Sequence, residues 1–250
     1  MQYFQNPNLY RELNAWNMIP RMDAGGMLGH GRYVDVETKK LHKFPAIDVD
    51  PNWIYTNPNP DLLCMEYHAI VKGFGFIPKK CLDCYKVVVT PRSFHELMLL
   101  YELELEMVEE NPRCWCKCGT EERPFVPRNY GGYFYTRGID GGRARYKTVR
   151  EKVSEKINPK VSVILKRYCT EFELRFGESD KYQQPEGAKE IEDYFWQNVD
   201  IMTGARKQPE FVIQHTIQNW MEFAWARGDM TVVLYNNNQP LFPPPVTYHE

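Results

Sequence analysis

Cys81-Leu-Asp-Cys84-Tyr-Lys-Val-Val-Val-Thr90-Pro-Arg-Ser93-Phe-His-Glu96 places a strand directly before the start of a helix. Tyr85 to Thr90 is rich in β-branched side chains, which suit a pleated, half-buried surface, and it reads as a β-strand. Ser93-Phe-His-Glu96 is a capping box, in which Ser93 accepts from an orphan amide and Glu96 reaches back to the cap. Phe94, Leu97, Met98, Tyr101, Leu105 and Val108 then recur at helical spacing until Asn111-Pro112 stops the run. The remaining acids, Glu102, Glu104, Glu106, Glu109 and Glu110, read as a solvated face.

Downstream, Tyr130-Gly-Gly-Tyr-Phe-Tyr-Thr-Arg-Gly-Ile-Asp-Gly-Gly142 reads as a glycine-punctuated aromatic strand and turn. Tyr146, Val149, Val153 and Ile157 mark one face of a short helix ended by Asn158-Pro159. Val161, Val163 and Leu165 alternate as in a strand, and the alternation resumes after Cys169 with Phe172, Leu174 and Phe176. Ile191, Tyr194, Phe195 and Val199 give an amphipathic helix. Pro209 opens a longer one through Phe211, Thr216, Trp220, Phe223 and Ala224, with Gly228 at its C′ position. Met230 to Tyr235 reads as a strand, Asn236-Asn-Asn238 as a turn, and Gln239 to Tyr248 as a polyproline-like extension. The first 60 residues are loop-rich and read as an irregular arm or a meander of short strands. Gly25 to Gly31 there lacks the flanking strand and Lys-Ser/Thr of a phosphate-binding loop.

Five of the seven cysteines fall in two groups, Cys81/Cys84 and Cys114-Trp-Cys116-Lys-Cys118-Gly119. Two residues between thiolates let a short turn aim both sulfurs at one ion, and structural Zn²⁺ takes four such ligands. The expected set is Cys81, Cys84, Cys116 and Cys118, with Cys114 as alternate and Gly119 supplying a knuckle's tolerance of positive φ. The odd cysteine total and the polar N-terminus, without a secretory apolar run, favour metal over disulfides in a reducing compartment. Cys64 and Cys169 read as isolated buried thiols. Locally, the module resembles a zinc ribbon or zinc knuckle. Its 29-residue gap from Cys84 to Cys114 exceeds a compact ribbon and must hold an inserted element, the capped helix. The fold expected is α+β: a mixed or antiparallel sheet with this zinc-ribbon-like module embedded and with helices concentrated in the C-terminal third.

Composition divides the chain into a loop-rich region over 1–65, the zinc module with its inserted helix over 66–122, a basic α+β region with C-terminal helices over 123–235, and a Pro-rich tail over 236–250. Hydrophobic residues at 43% and charged ones at 26% are ordinary for a soluble globular protein and exclude wholesale disorder. No apolar stretch is long enough to span a bilayer, so the expected location is cytoplasmic, with no membrane partner. The net charge of −2 hides an asymmetry, because 123–167 carries twelve Lys or Arg against three acids. Such a block is the local footprint that phosphate binding needs.

Within the block, Arg128, Arg137, Arg143, Arg145, Lys147 and Arg150 are the expected phosphate contacts, with Tyr133 and Tyr135 as stacking faces. No RRM signature, KH loop or spaced His pair of a classical finger is present, so no sequence-specific readout is expected. The function expected is that of a non-enzymatic, zinc-containing protein that contacts DNA, RNA or a nucleic-acid-processing complex. The second reading is a structural or assembly protein serving protein partners, and a virus-encoded protein suits either. A third is a metal-dependent nuclease built from Asp48, Asp50, Glu171 and Glu173 beside Lys166. Acids alternating with apolar residues describe any amphipathic strand, however. His42, His68, His95 and His215 form no catalytic spacing.

Overall fold

The computed structural model of the chain describes residues 32–34, 41–43, 51–58, 64–198 and 208–248. Three short strands come first: β1 (Arg32–Val34), β2 (Leu41–Lys43) and β3 (Trp53–Asn57). Helices α1 (Cys64–Phe74) and α2 (Lys79–Leu82) lead to β4 (Cys84–Thr90), α3 (Phe94–Glu110), β5 (Cys116–Thr120) and β6 (Tyr130–Arg137). Then follow α4 (Ile139–Lys156), β7 (Ser162–Arg167), α5 (Thr170–Phe176), α6 (Ala188–Asn198), α7 (Glu210–Ala226) and a 3-10 helix over Met230–Tyr235. The chain is α+β, with a five-stranded antiparallel sheet in the order β3-β5-β6-β4-β7. From β4 to β7 it runs β-α-β-β-α-β, the split βαβ arrangement. Helices occur along the described chain from Cys64 onward, because each crossover in this topology uses one. Among the described residues no helix is long and apolar enough to cross a membrane.

Two compact units divide these residues. One comprises 32–43, 64–85 and 167–198 in their described parts; the other comprises 51–58, 86–166 and 208–248. In the first, β1 and β2 pair antiparallel, with Tyr33 opposite His42. Tyr67, Val71, Ile77, Cys81, Tyr168 and Phe172 form its core cluster. The Ile77 and Lys79 amides are satisfied by Tyr182 Oη at 2.9 Å and Glu192 Oε2 at 2.9 Å.

The second unit is built around α3. Ser93 Oγ accepts from the Glu96 amide at 3.2 Å, as a capping box requires. The Glu96 carboxylate takes the Arg92 amide at 2.8 Å, one residue before the cap, and Arg92 Nη2 donates to it at 2.6 Å. Asp229 Oδ2 accepts from the Phe94 amide at 2.6 Å and from Tyr130 Oη at 2.7 Å, tying the helix start to β6. The buried face of α3 is Phe94, Leu97, Leu100, Leu103, Glu104 and Met107, whereas Leu105, expected inside, is exposed. The apolar stripe is thus rotated from its expected position, and Glu104 moves from the solvated face into the core. Val149 and Val153 of α4 and Trp220 and Ala224 of α7 complete this core.

Two further expectations change. Thr170–Phe176 is helical rather than a strand: Phe172 is buried and Leu174 is 65% exposed, where strand alternation would bury both. Met230–Tyr235 is a 3-10 helix, nucleated by Asp229 accepting from the Thr231 amide at 3.1 Å. Cys64–Phe74 is a helix, a segment whose short apolar run Ala69-Ile-Val71 carries no clear period in the sequence. Gly228 does follow α7 with φ of 73°, donating to Trp225 O at 3.0 Å, as a C′ glycine should. Asp48, Asp50, Val199 and the Gly25–Gly31 turn lie outside the described residues.

Gly119 sits within β5 and has no positive φ, so its role is not that of a knuckle. A Cβ there would lie 2.1 Å from the Asn52 carbonyl oxygen; the residue is small because β3 approaches. Its cross-strand partner Gly131 has no neighbour closer than 3.5 Å to such a Cβ. Gly119→Ala is expected to cost about 1–3 kcal/mol by urea unfolding, the range for overpacking, and Gly131→Ala less than half of that. Equal costs would contradict this account of β3 packing.

Candidate functional site

Strand alternation sorts the side chains of β3, β5 and β6 onto two faces. Ile54, Cys118 and Gly132 are in register, as are Cys116 and Phe134, and these point into the core with α3. Lys117 and Tyr133 are in register on the opposite face, with Trp53 beside them. There the Lys117 ammonium lies 4.3 Å from the Trp53 ring centroid, 5.1 Å from Tyr55 and 5.6 Å from Tyr133. Lys86 Nζ of β4 lies 6.0 Å from the Tyr133 centroid and 5.9 Å from Tyr135. Cations at such distances are held by ring quadrupoles. Tyr133 and Tyr135 stack at 6.4 Å and 24°, and Trp53 meets Tyr133 edge-on at 5.4 Å.

The loop between β5 and β6 fixes the centre of this face. Arg123 Nη2 and Arg128 Nη2 donate to Tyr133 Oη at 2.9 and 2.8 Å, and the phenol donates to Glu121 Oε2 at 3.1 Å. Arg128 Nη1 also reaches Thr90 Oγ1 at 3.1 Å. Burial alone would raise Glu121, but the Arg123 guanidinium at 2.5 Å outweighs it and holds the carboxyl below its ordinary value. Burial pushes the Tyr133 phenol up, so it stays a neutral donor. At 6% exposure Tyr133 is a structural hub, whereas Tyr55 on the same face is 39% exposed.

The other expected basic contacts separate from this face. Arg150 donates to Val161 O at 2.6 Å and Pro159 O at 2.7 Å, which closes the turn after α4. Arg145 Nη1 donates to Cys114 Sγ at 2.8 Å. Arg143 lies 3.7 Å from Asp140, and Lys147 is exposed on α4. Lys152 bonds Glu106 at 3.0 Å and Glu110 at 2.8 Å, and Lys156 also pairs with Glu106. Two of the block's twelve cations are therefore matched by Glu106 and Glu110 of α3. Of the expected stack and phosphate contacts, Arg128, Tyr133 and Tyr135 come together; Arg137 ends β6. Trp53, Tyr55, Lys86 and Lys117 lie outside the basic, aromatic block and join this face through the sheet. The readable signal was a Lys interrupting the strand runs at Lys86 and Lys117.

Cys81 and Cys84 belong to one unit and Cys114, Cys116 and Cys118 to the other. All five are buried, and all seven cysteines are free thiols. Cys64, expected inside, is exposed at the start of α1. A tetrahedral zinc site needs four donors converging on one ion. Among the described residues no group of three or more His, Cys, Asp or Glu converges in that way. The Cys116 thiol and Arg145 hold Cys114 below its usual range. The same Cys114 contact and burial push Cys116 up, and burial with the Glu104 carboxyl pushes Cys118 up.

Glu171 and Glu173 lie on helix α5, where residues two apart point about 200° from one another, so the helix does not aim both at one metal. His68 packs on Phe172 at 4.8 Å and His95 Nδ1 pairs with Tyr235 Oη at 2.8 Å, both structural contacts; His215 is exposed on α7. Comparison with known proteins finds no matching family model, no similar curated protein and no similar solved structure.

Glu104 carries a pH dependence. Fully buried, it accepts from Thr56 Oγ1 at 2.5 Å, while Oε1 has no hydrogen-bond partner. Burial raises its carboxyl from 4.5 to about 8, a shift the Thr56 hydroxyl only partly offsets. Folding then binds a proton between those values, so stability is full below the unfolded value and falls as pH rises through the folded one. The expected slope is up to about 1.4 kcal/mol per pH unit in that window. Urea midpoints from pH 5 to 8 measure it, and Glu104→Gln should flatten the curve. An unchanged slope in the variant would assign it elsewhere.

Proposed function

We propose that the Trp53, Tyr55, Lys117 and Tyr135 face of the sheet binds single-stranded nucleic acid without strong sequence preference, with the buried Lys86 ammonium supporting the Tyr133 and Tyr135 rings from β4. The observation that carries this reading is the interleaving of rings and ammonium groups on one sheet face, with Lys117 within 5.6 Å of three ring centroids. Rings accept bases by stacking whatever their sequence, and the half-buried Lys117 ammonium meets the phosphates. Tyr55, Trp53 and Tyr135 serve as stacking surfaces. Tyr133 serves as the support that keeps them in place, through Glu121, Arg123 and Arg128. The role is binding rather than catalysis, and the setting is cytoplasmic, where the cysteines remain thiols. DNA and RNA are both candidate ligands.

Titration of a fluorescent single-stranded oligonucleotide at several salt concentrations tests this. Binding should weaken with salt, log K against log salt sloping by about −0.7 for each phosphate contact, the one at Lys117 included. Tyr135→Ala should cost about 1–3 kcal/mol of binding. Lys117→Ala should shallow the slope by about 0.7. Binding that ignores both substitutions, or no binding at low salt, would sink the reading and favour a protein-assembly role.

Structural Zn²⁺ is a separate proposal, resting on the spacing of Cys81, Cys84, Cys116 and Cys118 alone. Elemental analysis of the purified chain should find one equivalent, lost in Cys81→Ser and in Cys118→Ser. A metal-free, folded chain would remove zinc without touching the sheet face.

A further inference from the structure

The Asn236–Gln239 turn launches a tail that buries little of itself. Asn237 and Asn238 take the left-handed conformation, with φ of 53° and 58°, which Asn tolerates better than most residues. Asn238 N donates to Val233 O at 2.9 Å, and Asn236 Nδ2 donates to Gln239 O at 3.2 Å and Pro240 O at 3.0 Å. Phe242 touches Trp225 edge-on at 6.5 Å. Beyond that point every residue from Pro243 to Tyr248 is exposed and in no hydrogen-bonded element. Phe242 is 49%, Val246 76% and Tyr248 93% exposed. A strap along the protein's own surface would bury these apolar side chains, and this segment does not.

Pro243-Pro244-Pro245 fixes three φ angles and biases each preceding residue to extended geometry, which favours polyproline II over 242–245. A partner groove that continues this conformation to Tyr248 meets, at three residues per turn, Phe242, Pro245 and Tyr248 on one edge about 9 Å apart. A stiff helix loses little entropy on docking, and prolines present an apolar ridge that aromatic-lined grooves grip. From Asn236 to Tyr248 there is no charged residue. The contact therefore depends on apolar and aromatic surface rather than on charge.

We infer that 242–248 is a docking ligand for a protein domain with an aromatic-lined polyproline II groove, with Phe242, Pro245 and Tyr248 as the contact edge. This site is independent of the nucleic-acid face. The test titrates the full chain into three purified labelled probes, one SH3, one WW and one EVH1 domain, followed by chemical-shift changes. At least one should saturate, with affinity changed less than twofold between low and high salt. Tyr248→Ala and the double change Pro244→Ala with Pro245→Ala should each weaken it tenfold or more, while Lys117→Ala leaves it intact. The inference is overturned if none of the three responds. It is equally overturned if binding survives loss of the prolines, or if it weakens steeply with salt.

Discussion

Close approach at two glycines is the constraint on which the sheet's two faces depend. A Cβ at Gly132 would stand 2.5 Å from Leu100 Cδ2, and one at Gly119 would stand 2.1 Å from the Asn52 carbonyl. The first lets α3 lie against β6, and the second lets β3 join the edge of β5. With α3 seated this closely, one face of the sheet is committed to the core, together with Cys116, Cys118 and Phe134. The alternate residues must then use the other face. Trp53, Lys117, Tyr133 and Tyr135 meet there as a consequence of register rather than of proximity in sequence.

The same packing explains the polar group in the core. Seating Leu100 over Gly132 turns the helix so that Glu104 faces the sheet, where burial holds its carboxyl protonated up to about pH 8. A neutral acid donating or accepting one hydrogen bond is far cheaper to bury than a carboxylate. Thr56 supplies that bond from β3, so the strand admitted by Gly119 also serves the acid admitted by Gly132.

Local signals in the sequence carried well where they were chemically specific. Ser93 capped its helix, Asn111-Pro112 ended it, Gly228 closed α7, and Tyr85–Thr90 formed a strand. Period alone misled at Phe172 and Phe176, because residues four apart fit both a strand face and a helix face until Leu174 is known to be exposed. The rotation of α3 was illegible because Leu100, Leu103 and Met107 form as good a stripe as Met98, Tyr101 and Leu105. Gly132 of β6, where Leu100 seats, chooses between them. Of the candidate interface, Tyr133, Tyr135 and Arg128 were readable from the basic, aromatic block. Trp53, Tyr55 and Lys86 come from distant segments and join it only through sheet order. Charge counting also overstated α4, since it could not see Glu106 and Glu110 paired with Lys152.

The most direct measurement is ultraviolet cross-linking of a single-stranded oligonucleotide to the full chain, with the adducts located by mass spectrometry. Adducts at Trp53, Tyr55 or Tyr135 are the predicted result, since stacked rings are where short-range photochemistry occurs. Adducts confined to the α4 segment around Arg143 and Lys147, or none under conditions where the oligonucleotide binds, would contradict the assignment of the sheet face.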